Sequence, residues 1–277
     1  MPHPITPAPR LSLADGATIP QLGFGLYKVA AADAARLSRD AIGIGYRHLD
    51  TAAFYANEAE VGEAVRSADV PREELFVTSK VWKDDNGFDT TLRAFEASIA
   101  RLGLETLDLY LIHWPVPSTD RYVDTWRALV RLQQEGRVRS IGVANFHAHH
   151  LERIIGETGV APVVNQVELH PWLPQAALRE FDAARGIRTE AWSPLARGRV
   201  LGTPLLDDLA DKHGRTPAQI VLRWHIELGN VVIPKASSPE RLRENLDVFD
   251  FALDADDLAA IATLENGERT GRDPDLD

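Results

Sequence analysis

The sequence predicts an α/β fold in which eight strand-helix units close into a (β/α)8 barrel, with an N-terminal β-hairpin and extra helices at the C-terminal end. Short apolar runs alternate with helix-periodic segments along nearly all of the 277 residues, the pattern of parallel strands joined by crossover helices. A doubly wound open sheet would carry a glycine fingerprint after its first strand. Gly23-Phe24-Gly25 and Gly43-Ile44-Gly45 are too short to be that fingerprint, and turns account for both. A hydrophobic content of 44% at this length supports one large core, so residues 1–277 are expected to form one domain.

Each element follows in order. After a Pro-rich leader, which would cap one end of a barrel, LSLADGATIPQLGFG reads as a hairpin with Asp15-Gly16 at its turn, running into a first strand. The alternation continues with helix 31–44, strand 46–50, helix 57–68, strand 75–80, helix 89–102 and strand 108–113. It goes on through helix 121–135, strand 139–144, helix 147–156, strand 163–168, helix 174–185 and strand 187–192. Helices over 203–213 and 216–228, a last strand at 231–233, and helices over 239–247 and 255–264 complete the chain. Helices rest on spacings such as Leu92, Phe95, Ile99 and Leu102, with Asp89 or Thr90 available to cap the start. Apolar runs alone do not separate a strand from a buried helix, and the repeated alternation decides for strands.

A formal charge of −11 repels polyanions, which argues against nucleic acid and anionic membrane as partners and leaves only local basic clusters to consider. Arg137 and Arg139 are too few to alter that. With no cysteine in the chain, disulfides, thiolate metal sites and thiol nucleophiles are all excluded. MPHPITPAPR lacks the charged start and apolar run of a secretory signal. No stretch approaches the roughly 20 apolar residues of a membrane span. A soluble, cytoplasmic protein is expected.

The chemistry gathers at strand ends. Asp50, Lys80 and His113 close the runs YRHLD, ELFVTSK and LDLYLIH, and Tyr55 follows in the loop after Asp50. In a parallel barrel those ends converge on the face that carries the active site. A phenol with a pKa of about 10 is a sluggish acid at neutral pH, and a neighbouring ammonium helps by favouring the phenolate. Lys80 is the candidate ammonium, Asp50 the carboxylate that keeps it charged, and His113 a donor that orients a carbonyl. Taken singly, each has a plainer reading as cap, interface aromatic, loop cation or core histidine. Their coincidence at one end of three consecutive strands favours a site that protonates a carbonyl oxygen.

The same residues carry a resemblance. Gly45-Tyr46-Arg47-His48-Leu49-Asp50-Thr51-Ala52, followed by Tyr55, Glu58 and Gly62, is similar to the first signature of the aldo-keto reductases. IGVANF, NQVELHP, AWSPLARG and IPKASSPERLRENLDVF match later motifs in order. HWPVP, VLRWH and ENLDVFDF resemble the bacterial 2,5-diketo-D-gluconic acid reductase branch in particular. The resemblance implies a barrel, usually monomeric, that reduces aldehydes and ketones with a nicotinamide cofactor, and it assigns the tetrad Asp50, Tyr55, Lys80 and His113 the roles above.

It also implies a cofactor lying extended across the strand ends. Asn145 and Gln166 would bond the nicotinamide carboxamide, and Trp192 would stack on the ring. Asn145 alone would equally suit a helix cap near His147. Lys235, Arg241, Glu244 and Asn245 match the adenosine-binding segment. A 2′-phosphate suits the forked donors of Arg241 with Lys235 and Ser237, so NADPH is favoured and NADH is expected to bind more weakly. Ala144 and Ala236 stand where the family pattern has a hydroxyl residue. Each removes a hydrogen bond of about 0.5–1.5 kcal/mol, for which Ser237 or Ser238 would compensate.

Tyr27, Phe54, Trp82 and Trp114 follow the first four strands and would form an aromatic collar for a small-molecule carbonyl substrate. Arg197, Arg199, Arg269 and Arg272 would either favour anionic sugar acids or be solvated surface. His147, His149 and His150 lack an organised carboxylate partner in the sequence and read as solvated surface, so no metal is expected. Two other functions compete: a Schiff-base aldolase or lyase using Lys80, and a nicotinamide-binding redox sensor that regulates a partner.

Overall fold

The computed structural model describes residues 5–276. Strands β1 (Arg10–Ser12) and β2 (Thr18–Pro20) pair antiparallel. Asp15 and Gly16 make the turn: Gly16 takes a φ of +88°, and the Asp15 carboxylate accepts from the Ala17 N–H. Eight parallel strands follow: β3 (Phe24–Gly25), β4 (His48–Asp50), β5 (Phe76–Val81), β6 (Leu107–Ile112), β7 (Val138–Ala144), β8 (Val164–Glu168), β9 (Arg188–Trp192) and β10 (Val231–Val232). They neighbour one another in chain order. Closure comes from a parallel bridge between Leu22 and Val232. The Gly23 and Gly25 N–H groups donate to the Val232 and Pro234 carbonyls.

Helices α1 (Ala31–Ile44), α2 (Glu58–Arg66), α3 (Phe88–Leu102), α4 (Tyr122–Gln134), α5 (Ala148–Thr158), α6 (Ala176–Ala183), α7 (Pro204–His213), α8 (Pro217–Glu227), α9 (Pro239–Leu246) and α10 (Ala255–Ala262) accompany the strands. Among the described residues no helix is long and apolar enough to cross a membrane.

The pleat sorts each strand between two cores. Val77, Val81, Tyr110, Ile112, Ile141 and Val143 face outward into the large core shared with the helices. Phe76, Leu109, Leu111, Val164 and Val231 face the barrel axis, where they meet Leu13 and Ile19 of the hairpin. The hairpin is thus the cap at the N-terminal end of the barrel; the first four residues of the leader lie outside the described residues. Gly62 lets α2 and α3 touch, since a Cβ there would collide with the Leu102 carbonyl.

The structure departs from expectation in detail. Helix α3 starts at Phe88 with Gly87 as its N-cap and no side-chain cap. Asp89 and Thr90 therefore lie within the first turn, and the Thr90 hydroxyl turns back to the Asn86 and Gly87 carbonyls. Residues Ala196–Gly202 form short 3-10 turns kinked at Arg197 and Gly198, which apolar periodicity does not announce.

Candidate active site

Asp50 ends β4, Lys80 lies one residue before the end of β5, and His113 follows β6. Tyr55 sits on a 3-10 turn, Ala53–Tyr55, directly after β4. Barrel closure brings all four together. The Lys80 Nζ donates to Asp50 Oδ1 at 2.6 Å, to the Thr51 carbonyl at 3.0 Å and to the Tyr55 hydroxyl at 3.3 Å. The Tyr55 and His113 rings lie 5.6 Å apart, edge to face. Thr51 is fixed in turn: its hydroxyl donates to Asn57, whose amide holds the Leu26 and Val29 carbonyls beside Tyr27.

Burial dominates the electrostatics. It works to strip the Lys80 proton, but Asp50 and the Tyr55 oxygen outweigh it and hold the Lys80 pKa above its ordinary value. Burial pushes the Tyr55 phenol up to about 12 against the pull of Lys80, so Tyr55 carries its proton at neutral pH. Burial and the Lys80 charge press His113 well below its ordinary value. It is therefore a neutral imidazole, and its Nδ1 is buried without a hydrogen-bond partner.

Asp50, Tyr55 and His113 line a cavity of about 650 Å³, within the range of small-ligand sites, and Lys80 lies buried behind them. Tyr27, Phe54, Trp82 and Trp114 line it as well. Phe54 stacks on Trp82 with centroids 3.9 Å apart, while Tyr27 leans on Tyr55 at 5.1 Å. Tyr27 and Phe54 are exposed, which places them at the rim.

Asn145, Gln166 and Trp192 form another wall. Asn145 takes a φ of +63°. Its amide donates to the His113 carbonyl and accepts from the Trp192 indole N–H, both at 2.9 Å. It does not cap α5, whose N-cap is His147.

Of the adenosine segment, Lys235 reaches the cavity wall. Ser237 and Arg241 are exposed, and Asn245 is buried. Arg241 pairs with Glu244 at 2.7 Å, and Glu244 also accepts from Thr216. Ser238 is the N-cap of α9 and accepts from the Arg241 N–H. The four arginines divide: Arg197 and Arg272 line the cavity, whereas Arg199 pairs with Glu268 and Arg269 with Asp273.

Sequence reasoning missed two features. Glu190 on β9 is fully buried beside the tetrad; its signal was an acidic residue inside a run read as a buried strand. The segment Thr270–Arg272 also lines the cavity. The Glu168 carboxylate holds it, accepting from the Thr270 N–H at 2.6 Å, the Thr270 hydroxyl at 2.5 Å and the Gly271 N–H at 3.0 Å. A Cβ on Gly271 would come within 2.5 Å of the Trp192 ring, so only glycine lets the tail lie flat there.

The histidine cluster corrects the sequence reading. His150 is buried, packed edge-on against Tyr122 and Phe146, because it sits on the inner face of α5. Carboxylate partners do exist, folded in from the tail: Asp273 lies 3.1 Å from His147, and Asp275 lies 3.1 Å from His149 and 3.3 Å from His150. The His150 Nδ1 accepts from the His147 backbone N–H. Its proton therefore sits on Nε2, on the side of Asp275, and the three rings and two carboxylates clasp the tail onto α5.

Comparison with known proteins agrees with this architecture. Residues 21–266 match the model of the aldo/keto reductase family. An aldo-keto reductase of Mycolicibacterium smegmatis is 53% identical over 96% of this chain and 97% of its own length. The methylglyoxal reductase DkgA of Escherichia coli is 50% identical over 96% of both chains. Among solved structures, a mutant of Gox0644 in complex with NADPH superposes with a TM-score of 0.94 at 49% identity, covering 98% of this chain and 99% of that one. The chain belongs to the aldo/keto reductase family.

Proposed function

We propose that the protein reduces aldehydes and ketones to alcohols with NADPH, and that Tyr55 delivers the proton. The observation that carries this reading is the chain of contacts from Asp50 through Lys80 to the Tyr55 hydroxyl at the floor of the cavity. A nicotinamide suits the wall opposite, which offers the Trp192 indole and the Asn145 and Gln166 amides. The complexes of Gox0644 with NADPH and of a Bombyx mori aldo-keto reductase with NADP support the choice of cofactor. When bound, the nicotinamide supplies hydride.

The chain does the rest. His113 donates a hydrogen bond to the substrate carbonyl and aims its oxygen at Tyr55. As charge grows on that oxygen, the Tyr55 proton moves to it, and Lys80 stabilises the phenolate left behind. The aromatic rim of Tyr27, Phe54, Trp82 and Trp114 excludes water and accepts substrates by shape. Lys235, Ser237 and Arg241 would meet the 2′-phosphate and favour NADPH over NADH. Small dicarbonyls are the favoured substrates by analogy with DkgA, and the cavity arginines Arg197 and Arg272 suit keto acids. Attack by Lys80 on a carbonyl would need a free amine, and its Nζ is committed to three acceptors.

A panel of methylglyoxal, other diketones and keto sugar acids, followed by loss of NADPH absorbance, tests the proposal. Turnover is expected with at least one dicarbonyl, and Tyr55→Phe should lower it by about 10²–10⁴-fold while NADPH still binds. Full activity in Tyr55→Phe would reject Tyr55 as the acid. Trapping of Lys80 by borohydride in the presence of substrate would favour the aldolase.

A further inference from the structure

Behind the tetrad, the buried Gln166 side chain joins two acids. Its Nε2 donates to Asp50 Oδ2 and to Glu190 Oε2, each at 2.8 Å. An amide nitrogen has two protons, so both are taken. The reverse orientation would set the amide oxygen against the Asp50 carboxylate, which only accepts, and is disfavoured. The amide carbonyl is then the polar atom Gln166 has left to offer the cavity it lines. Asp50 is already tied to Lys80, which makes Glu190 the partner with no other assigned task.

We propose that Glu190 is a positioning residue for the cofactor: by holding the second N–H of Gln166, it fixes the amide carbonyl as an acceptor for the N–H₂ of a nicotinamide carboxamide. This rests on the NADPH reading above. Glu190 pairs in register with Gln166 on β8 and with Val231 on β10, so the strand ladder sets its reach. The titratable groups facing it are Asp50 and His48 from β4 and Lys80 from β5. His48 Nε2 stands 3.8 Å from Glu190 Oε1, beyond hydrogen-bonding distance, and Oε1 has no hydrogen-bond partner. Burial and the nearby Asp50 charge raise the Glu190 pKa to about 8. The shift favours the neutral acid, and Gln at this position would reproduce its shape and acceptor.

The test compares binding of NADPH with binding of its reduced 3-acetylpyridine analogue, which has a methyl ketone in place of the carboxamide and no N–H₂ to donate. The native chain and Glu190→Gln should prefer NADPH by about tenfold, the worth of one good hydrogen bond. Glu190→Val should lose that preference. Equal discrimination in native and Glu190→Val would overturn the proposal. Failure of the native chain to bind either nucleotide would instead sink the NADPH reading. A second measurement does not need the valine variant to fold. The Gln166 side-chain amide protons, followed by NMR in the native chain, should move downfield as Glu190 ionises around pH 8 and stay still in Glu190→Gln. Gln166 amide protons that stay at the shifts of a free amide across the whole pH range in the native chain would equally overturn the role.

Discussion

Lys80 has two tasks that a double substitution separates. It is a fully buried cation whose charge offsets that of Asp50 2.6 Å away and pulls the Tyr55 phenol against its burial. Lys80→Met leaves the Asp50 carboxylate buried and unpaired, a loss of about 3–5 kcal/mol of stability, and removes the cation that the proposed mechanism uses to stabilise a Tyr55 phenolate. Denaturant unfolding should recover much of that loss in the double variant Lys80→Met/Asp50→Asn, because no lone charge remains. Turnover should stay down by at least about 100-fold in both; normal turnover in either would show the cation to be dispensable. The tetrad was legible in the sequence because four suitable chemical types stood at the ends of consecutive strands, and strand ends are where a barrel gathers its chemistry. Glu190 was not, since its meaning depends on closure carrying β9 across the axis to β4. The acidic partners of the histidines were hidden for a related reason: Asp273 follows His147 by 126 positions, and no local pattern links them.

At the scale of elements, the alternation of strands and helices was legible almost to the residue, because each barrel strand is a short apolar run bounded by a periodic helix. What local pattern did not carry was the path of segments without periodicity, the turns Ala196–Gly202 and the tail. The tail is pinned at two points, Glu168 beneath Thr270 and Gly271 and the histidine clasp on Asp273 and Asp275. Bonds to a charged acceptor are worth about 1.5–3 kcal/mol each, so Glu168→Gln should loosen the segment over the cavity. Faster tryptic cleavage after Arg272 in Glu168→Gln than in the native chain is the expected result, and equal rates would show that the clasp alone holds the tail. Helix α9 poses a separate question. Arg241 is exposed and held by Glu244, in a position to turn toward a phosphate at the cost of that weak surface pair. Arg241→His is expected to weaken NADPH binding by about tenfold or more while leaving NADH nearly unchanged; an unchanged ratio would exclude Arg241 from phosphate recognition.

The whole molecule carries buried titratable groups of two opposing kinds, and their balance fixes where it is most stable. Burial holds His48 and His225 at about 3 and His150 at about 4, and it presses His113 down as well. Each binds a proton in the unfolded chain below about 6.5 but not in the folded one, so their contribution is present above that value and lost as pH falls. Burial raises Asp182 to about 7 and Glu190 to about 8. These groups keep a proton in the folded state that the unfolded chain releases near pH 4, so their contribution fades as pH rises through the folded values. Asp50 is raised too, by burial against the pull of Lys80; the four histidines outweigh these carboxyl groups in the acid range, and stability should climb from pH 5 to about 6.5. Above 7 the decline is carried by Glu190, at no more than about 1.4 kcal/mol per pH unit, and it levels off beyond 8. Thermal unfolding from pH 5 to 9 should therefore show a maximum between about 6.5 and 7, with the alkaline slope removed in Glu190→Gln. A melting temperature that keeps rising through pH 8 in the native chain would mean that Glu190 is ionised at neutral pH. In that case the acid beneath Lys80 is a second fixed anion, and the Lys80 charge is shared between two carboxylates.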